Sequence, residues 1–292
     1  MHPSIESFTR WLFEEGRSPR TIESYGSDIK GFQQFLREKA VGEDQPLSCY
    51  SFVRFKEHLF KEEYAVATIN KKINNLKVYN DFLRIQAIVN ESIIVLKRDR
   101  IKIAAGSEVV VEALSDEQVE HLLCYVENRN KVSTRNKLIV YILMYTGIRV
   151  SELVGIKLVD IDFLESHLTV MGKGGKRREI GLRQEVLGLI REYIKEERSA
   201  SVFHQSGYLL VSQRSEKMHR DAVRSWLANI STDVGFKLYP HIFRHTFCST
   251  LLRRGVNLTT VSKIAGHSSV NLTAKFYIQT TRAEKMDAVN KL

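Results

Sequence analysis

Near the C-terminus of this 292-residue chain, His241-Ile242-Phe243-Arg244-His245 precedes Gly266-His267, and Tyr277 follows ten residues after that histidine. Arginine presents a planar fork of donors matched to two phosphate oxygens, histidine changes protonation near neutral pH, and a tyrosine hydroxyl can attack phosphorus. A second arginine lies far upstream in Thr146-Gly147-Ile148-Arg149-Val150-Ser151-Glu152-Leu153, and two lysines occupy the Gly-rich segment Gly172-Lys173-Gly174-Gly175-Lys176. Breaking a phosphodiester without a metal requires a nucleophile, cationic donors on the non-bridging oxygens and an acid for the departing oxygen. Tyr277, the pair Arg149 and Arg244, and a lysine of the turn have those chemistries. His241 precedes Arg244 by three positions, so on a helix the two share a face and can address one phosphate; His267 adds a donor. A tyrosine hydroxyl, with an ordinary pKa of about 10, needs a base or a cationic surrounding to act at neutral pH. His241 offers the first; the arginines, with a protonated histidine, offer the second.

Other chemistries are poorly supplied. His245 lies one helical turn after His241, but there is no His-Glu-x-x-His pattern and no acidic residue close by in sequence, so zinc is not expected. Cys49, Cys124 and Cys248 are odd in number and widely separated, which leaves neither a disulfide framework nor a Cys-x-x-Cys site; all three read as packing residues. Glu152 reads as a residue that orients an arginine or caps a helix. No metal and no cofactor is expected.

The elements that must position these groups are mostly helical. Lys and Arg number 44 against 34 Asp and Glu, a net charge of +10, which points to a polyanionic partner, nucleic acid first and an anionic membrane surface second. No run of 18 apolar residues and no signal-peptide pattern appears, so a soluble cytoplasmic protein is expected. Ile5, Phe8, Trp11 and Leu12 mark an amphipathic helix, Ser18-Pro19 opens a second that runs to about Lys39, and Phe52, Phe55, Leu59 and Phe60 mark a third. A fourth begins at Thr68, with Ile69, Ile73, Leu76, Tyr79, Asn80 and Leu83 on one face. Around the rest lie Asn70, Lys71, Lys72, Asn74, Asn75 and Lys77, a surface that can face either DNA or solvent. The basic run from Lys97 and Arg98 to Lys102 opens a linker over 97–112, which divides a helical domain, 1–96, from a second domain, 113–292.

In the second domain Ser115 and Gln118 have capping-box spacing, and an apolar helix from Asn136 to Tyr145 is broken by Thr146-Gly147 just before Arg149. His167–Met171 and Arg178–Leu182 read as a β-hairpin around the glycine-rich turn, and helices resume from Gln184. There is no internal repeat.

Motifs in the order Arg149, Lys173, His241-x-x-Arg244, Gly266-His267 and Tyr277 resemble the active site of the tyrosine recombinases, the phage integrase and Xer family. Specific motifs run from about Leu114 to Tyr277, and weaker ones, including Ser18–Tyr25, from Ile5 to Ile85. The resemblance implies a mainly α protein: an N-terminal helical, SAM-like core-binding domain and a mostly helical catalytic domain with a small antiparallel sheet, the two forming a C-shaped clamp on DNA. It selects Lys173 over Lys176 as the general acid for the leaving 5′ oxygen. It implies that Tyr277 forms a 3′-phosphotyrosyl link and that strands exchange through a Holliday junction, without ATP or metal. The partners it implies are double-stranded core sites, with four protomers on two sites and monomers or weak associations off DNA. Lys71, Lys72, Asn74, Asn75, Lys97, Arg98 and Lys176 are the candidate DNA contacts.

Two features depart from the family's common pattern. The tyrosine usually stands nine residues after the Gly-His histidine, a place held here by Phe276; the longer spacing to Tyr277 is that of some mobile-element members. An arm-binding domain ahead of Ile5 is not expected, and simple core sites therefore are. Thr280–Val289 can form a tail helix with Ala283, Met286 and Val289 on one face, which the resemblance would dock on a neighbouring protomer. The rival readings are a type IB topoisomerase, which would relax supercoiled DNA as an isolated protomer, and a non-catalytic DNA-binding relative, which would give no covalent complex.

Overall fold

The computed structural model describes residues 4–41, 46–102, 112–172, 175–267 and 269–274. The chain divides into two compact units, Met1–Glu108 and Val109–Leu292. No helix among the described residues is long and apolar enough to cross a membrane.

The first unit is all helical: α1 (Ile5–Glu14), α2 (Pro19–Glu38), α3 (Cys49–Lys61), α4 (Val66–Ile85) and the single turn α5 (Leu96–Asp99). Serines start the first three. Ser4, Ser18 and Ser48 each accept a hydrogen bond from a backbone N–H three residues on, and Pro19 occupies the first position of α2, where its missing N–H costs nothing. α4 starts at Val66, two residues before the expected Thr68, and has no side-chain cap. All six residues assigned to its inner face are buried, packed with Phe8, Leu12, Ile29, Phe32 and Phe55 into one core. Phe8 meets the Tyr79 ring edge-on at 5.2 Å, the arrangement that ring quadrupoles favour.

The polar side of α4 is largely engaged within the unit. Asp28 of α2 is buried and accepts from Asn75 Nδ2 at 2.6 Å, from Lys72 Nζ at 3.0 Å and from Lys71 Nζ at 2.9 Å. Burial alone would raise its pKa, but the two lysines hold it below the ordinary carboxylate value. Asn75, expected among the DNA-facing side chains, is therefore a buried partner of Asp28. Asn70 both donates to and accepts from the Ile101 backbone, Arg100 Nε donates to Asn74 Oδ1, and Lys56 Nζ reaches the Asp99 carbonyl. The first residues of the expected linker, 97–102, are thus fastened to α3 and α4, because asparagine side chains there satisfy backbone groups that a free connector would leave to water. Lys97 and Arg98 stay exposed, Arg98 with an ion pair to Asp99.

The second unit contains α6 (Asp116–Glu127), α7 (Thr134–Thr146), α8 (Val150–Leu153), a 3₁₀ turn at Leu158–Asp160, strands β1 (Ile161–Asp162), β2 (His167–Met171) and β3 (Arg177–Gly181), then α9 (Gln184–Tyr193), α10 (Arg220–Val234), α11 (Pro240–Arg253), α12 (Leu258–Ala265) and α13 (Val270–Ala274). α9 continues into a π-helical turn at Ile194–Arg198. The strands form an antiparallel sheet in the order β1-β2-β3, with Val170 opposite Arg178 and Leu168 opposite Ile180. The expected hairpin is present, with β3 one residue earlier than expected. The two-residue β1 adds an edge that is too short to leave a periodic signal.

Ser115 and Gln118 form the expected capping box of α6. α7 carries Leu138, Ile139, Val140, Ile142 and Leu143, all buried, and is packed by α9 on one side and α11 on another. A helix that is apolar over most of its circumference, with the face of Tyr141 and Tyr145 partly exposed, becomes the axle of its domain. It stops at Gly147, whose φ of +60° is left-handed and whose N–H donates to the Leu143 carbonyl at 3.1 Å.

A Cβ at Gly147 would meet both the left-handed backbone and the Phe247 ring. Gly147→Ala is expected to cost about 2–4 kcal/mol in urea denaturation, from the backbone penalty plus overpacking. Gly188→Ala is the control: on exposed helix surface, where an added Cβ meets nothing within 4 Å, the change should be neutral or slightly stabilising.

Candidate active site

The left-handed turn at Gly147 ends α7 and, after buried Ile148, sets Arg149 at the N-cap of α8. From there Arg149 is held by three hydrogen bonds. Its backbone N–H donates to Glu152 Oε2 at 2.8 Å, Nη1 to Glu152 Oε1 at 3.0 Å, and Nη2 to the Gly266 carbonyl at 2.8 Å. Glu152 therefore does both things its position suggests, orienting an arginine and satisfying a helix N-terminus.

A third arginine takes part that the sequence motifs did not single out. Arg178 of β3 makes a two-pronged contact with Glu152, Nη1 to Oε1 at 2.9 Å and Nη2 to Oε2 at 2.8 Å, while its Nε donates to the Ile264 carbonyl at 2.9 Å. Its signal was the strand period: Arg178 and Ile180 have the same parity, and Ile180 is buried. The carboxyl of Glu152 is buried, which alone would raise its pKa, yet the hydrogen bonds from Arg178 and the Arg149 backbone keep it below the ordinary value.

Pro240 fills the first position of α11, and His241, Arg244 and His245 follow within its first turns. Arg244 is only 3% exposed. Its Nη1 donates to the Gly147 carbonyl at 2.8 Å, and its Nη2 is buried with no hydrogen-bond partner among the described residues. Thr246, two residues on, accepts from the Leu114 N–H at 2.9 Å, and His245 Nδ1 lies 3.2 Å from the Glu112 carbonyl, so the start of this unit is tied to α11. The left-handed Gly266 ends α12; the His267 N–H then donates to the Ser262 carbonyl at 3.0 Å, and His267 Nδ1 lies 2.7 Å from Thr273 Oγ1.

Electrostatics separates the arginines from the histidines. Burial, then the charge of Arg149, lowers Arg244 to about 10, so it stays cationic at neutral pH. Burial, followed by Arg244 and Arg149, pushes His267 down to about 4 and lowers His241 as well. Both histidines are neutral in the resting site. The protonated histidine considered from sequence is absent there, because burial first and the two guanidinium groups second disfavour its charge.

The structure thus brings Arg149, His241, Arg244 and His267 together. Lys173 and Tyr277 lie outside the described residues, as does the expected tail helix. Lys176 is exposed beside the turn, where its carbonyl accepts from the Gly172 N–H at 2.8 Å. No cluster of three or more His, Cys, Asp or Glu side chains among the described residues could hold a metal ion.

Because His267 has a lower pKa folded than unfolded, the unfolded chain takes up the proton first. The stabilisation is present above the unfolded value of about 6.5 and is lost as pH falls toward the folded value. The urea midpoint is expected to drop between pH 7 and pH 4.5, and to drop less in His267→Asn; equal drops would show that His267 contributes nothing to acid sensitivity.

Residues 112–284 match the phage integrase family, and residues 5–86 match the phage integrase N-terminal SAM-like domain. The chain is 30% identical over 291 residues to the tyrosine recombinase XerA of Pyrococcus furiosus, covering 98% of this chain and 93% of that one. It is 28% identical over 289 residues to the TnP I resolvase of Bacillus thuringiensis, covering 98% of each. Among solved structures, XerH bound to palindromic difH substrate in a post-cleavage complex aligns with a TM-score of 0.76 at 18% identity, covering 99% of this chain and 84% of that one. The Tn1549 transposon integrase in complex with transposon right end DNA aligns with a TM-score of 0.72 at 20% identity, covering 99% and 98%. With the family match spanning more than half of the chain, and the arginine and histidine motifs gathered at one place in the fold, the chain belongs to the phage integrase family and is a tyrosine recombinase.

Proposed function

We propose that this recombinase cuts and rejoins duplex DNA at specific core sites, with Tyr277 as nucleophile and Arg149, Lys173, His241, Arg244 and His267 as its supporting groups. The observation that carries this reading is Arg244. Its Nη2 is buried and no described residue accepts from it; leaving such a donor unsatisfied costs about 1–3 kcal/mol, which an accepting partner would recover. A phosphate oxygen between Arg244 and Arg149 is such a partner, and the charge-assisted bonds strengthen as charge builds on phosphorus.

In the proposed step Tyr277 Oη bonds to phosphorus and the bond to the 5′ oxygen breaks. His241, neutral at rest, takes the phenolic proton, and Lys173 gives one to the departing 5′ hydroxyl. With Nδ1 accepting from the Thr273 hydroxyl, 2.7 Å away, a neutral His267 would carry its proton on Nε2 and offer it to a phosphate oxygen. The phosphotyrosyl bond keeps the energy of the broken linkage, so a 5′ hydroxyl from another strand reverses the step without ATP. The first unit, with the exposed Lys71, Lys97 and Arg98, and Lys176 of the second, would hold the duplex backbone. Four protomers on two sites, joined through the tail after Tyr277, would pass strands through a Holliday junction. The ten-residue spacing from His267 to Tyr277, with the likeness to the TnP I resolvase and to the Tn1549 transposon integrase, favours a mobile element as the physiological setting.

The test is a nicked suicide duplex, built on a site selected from random-sequence DNA, incubated in EDTA. Wild type is expected to give a protease-sensitive covalent band, Tyr277→Phe none, and Arg244→Gln a rate lower by about 10²–10³, the usual effect of removing one transition-state donor. A band that persists in Tyr277→Phe places the nucleophile elsewhere. Tight binding without a wild-type band favours a non-catalytic relative, and relaxation of supercoiled plasmid by isolated protomers favours a topoisomerase.

A further inference from the structure

We propose that Arg178 is a positioning residue for the cleavage step: by sharing Glu152 with Arg149 it leaves the charge of Arg149 available to the scissile phosphate and fixes its direction. This rests on the phosphate-clamping reading of Arg149 given above.

The argument begins with charge. Glu152 alone would form a closed pair with Arg149, two hydrogen bonds and a net charge of zero, and a neutral pair is a poor clamp for an anion. Arg178 changes that balance. Its fork covers both oxygens of the same carboxylate, so the three side chains together carry one net positive charge. Arg149 is the member with room to use it: its side chain is 32% exposed, against 14% for Arg178 and 4% for Glu152.

Direction comes from the same group. Three of the five N–H donors of Arg178 are held by protein, those on Nη1 and Nη2 by Glu152 and that on Nε by the Ile264 carbonyl, and its side chain is less than half as exposed as that of Arg149, so its main engagement is with protein. Its plane lies so close to Gly266 that a Cβ there would sit 2.8 Å from Nη1. The carbonyl of that glycine accepts Arg149 Nη2, and the next residue is His267. One guanidinium therefore braces the carboxylate, the carbonyl that together aim Arg149, and the turn that delivers His267. Lysine cannot replace it, since a point charge on a flexible stem offers no planar fork.

The arrangement predicts a reversal of sign that a purely structural role would not give. With Arg178 present, Glu152→Gln loosens Arg149 and slows cleavage. With Arg178 removed, the uncompensated Glu152 captures the charge of Arg149, and Glu152→Gln then releases it. The experiment measures single-turnover covalent joining on saturating suicide duplex for wild type, Arg178→Met, Glu152→Gln and the double variant, with duplex Kd and thermal melts alongside. Arg178→Met is expected to slow joining on the order of 100-fold, the scale of a misaimed catalytic group, with Kd changed by less than about threefold on the view that most affinity comes from other phosphate contacts. The double variant is expected to be faster than Arg178→Met. A double variant no faster than Arg178→Met, or an Arg178→Met enzyme at wild-type rate, overturns the proposal. If Arg178→Met does not fold, Arg178→Gln, which keeps a donor toward Ile264, is read by the same criterion. Absence of a Tyr277 adduct in wild type would instead overturn the reading of the site on which this one stands.

Discussion

Three guanidinium groups gather in the interior and rim of the C-terminal unit with a single carboxylate among them, and the local fold is arranged to tolerate that concentration of like charge. Arg244 is lowered to about 10, with burial acting first and the neighbouring Arg149 second. The offset comes from Glu152 and from three backbone carbonyls, those of Gly147, Ile264 and Gly266. All three carbonyls belong to the C-terminal ends of helices, α7 and α12, where unsatisfied C=O groups carry partial negative charge and cations are stabilised. Both helices end in left-handed glycines. The glycines are thus needed twice, once to stop the helix and once to let a guanidinium or an aromatic ring approach the stopped end.

This explains why the apolar axle matters to chemistry. α7 is buried over most of its surface and packed by both α9 and α11, so its C-terminus cannot move without disturbing the two together. Arg149 follows that terminus by two residues and Arg244 bonds to its last carbonyl, so both clamp arginines are referred to one rigid end. Neutral histidines follow from the same placement. Burial, reinforced by two fixed guanidinium groups, lowers the adjacent imidazoles, and a neutral imidazole is the form able to accept a proton from a nucleophile.

Much of this was legible before the structure. The helical stripes of the first unit, the Ser115 box and the hairpin follow from local periodicity and caps, where the relevant interactions lie within four residues. The α7 helix was found from composition and its Gly147 stop, because its partly exposed face carries Tyr141 and Tyr145 and so leaves little amphipathic stripe to read. Arg178 was missed for a physical reason: in an alternating strand a charged residue reads as solvent-facing, and only the parity it shares with Ile180 contradicts that. Its partner Glu152 is 26 positions away, beyond any local pattern. Asn75 misled in the opposite direction. It sits among lysines and asparagines that look like one polar face, but a buried carboxylate on α2 draws it inward.

The two units use the same electrostatic device with different side chains, and the difference suits their proposed tasks. In each, a buried carboxylate is shared by two cations: Asp28 with Lys71 and Lys72, Glu152 with Arg149 and Arg178. Each trio keeps one net positive charge while the carboxylate fixes where the cations sit. Lysine is a compact point charge on a flexible stem, with three rotatable donors, so Lys71, with 54% of its side chain exposed, can follow a phosphate backbone without demanding a particular angle. Arginine is a planar fork, and in the second unit that fork is braced from two sides. A unit that only holds a duplex tolerates imprecise contacts, since counterion release rewards charge and not angle. A unit that must stabilise one phosphorus in one geometry does not, because a donor misplaced by about 1 Å forfeits roughly a hundredfold in rate.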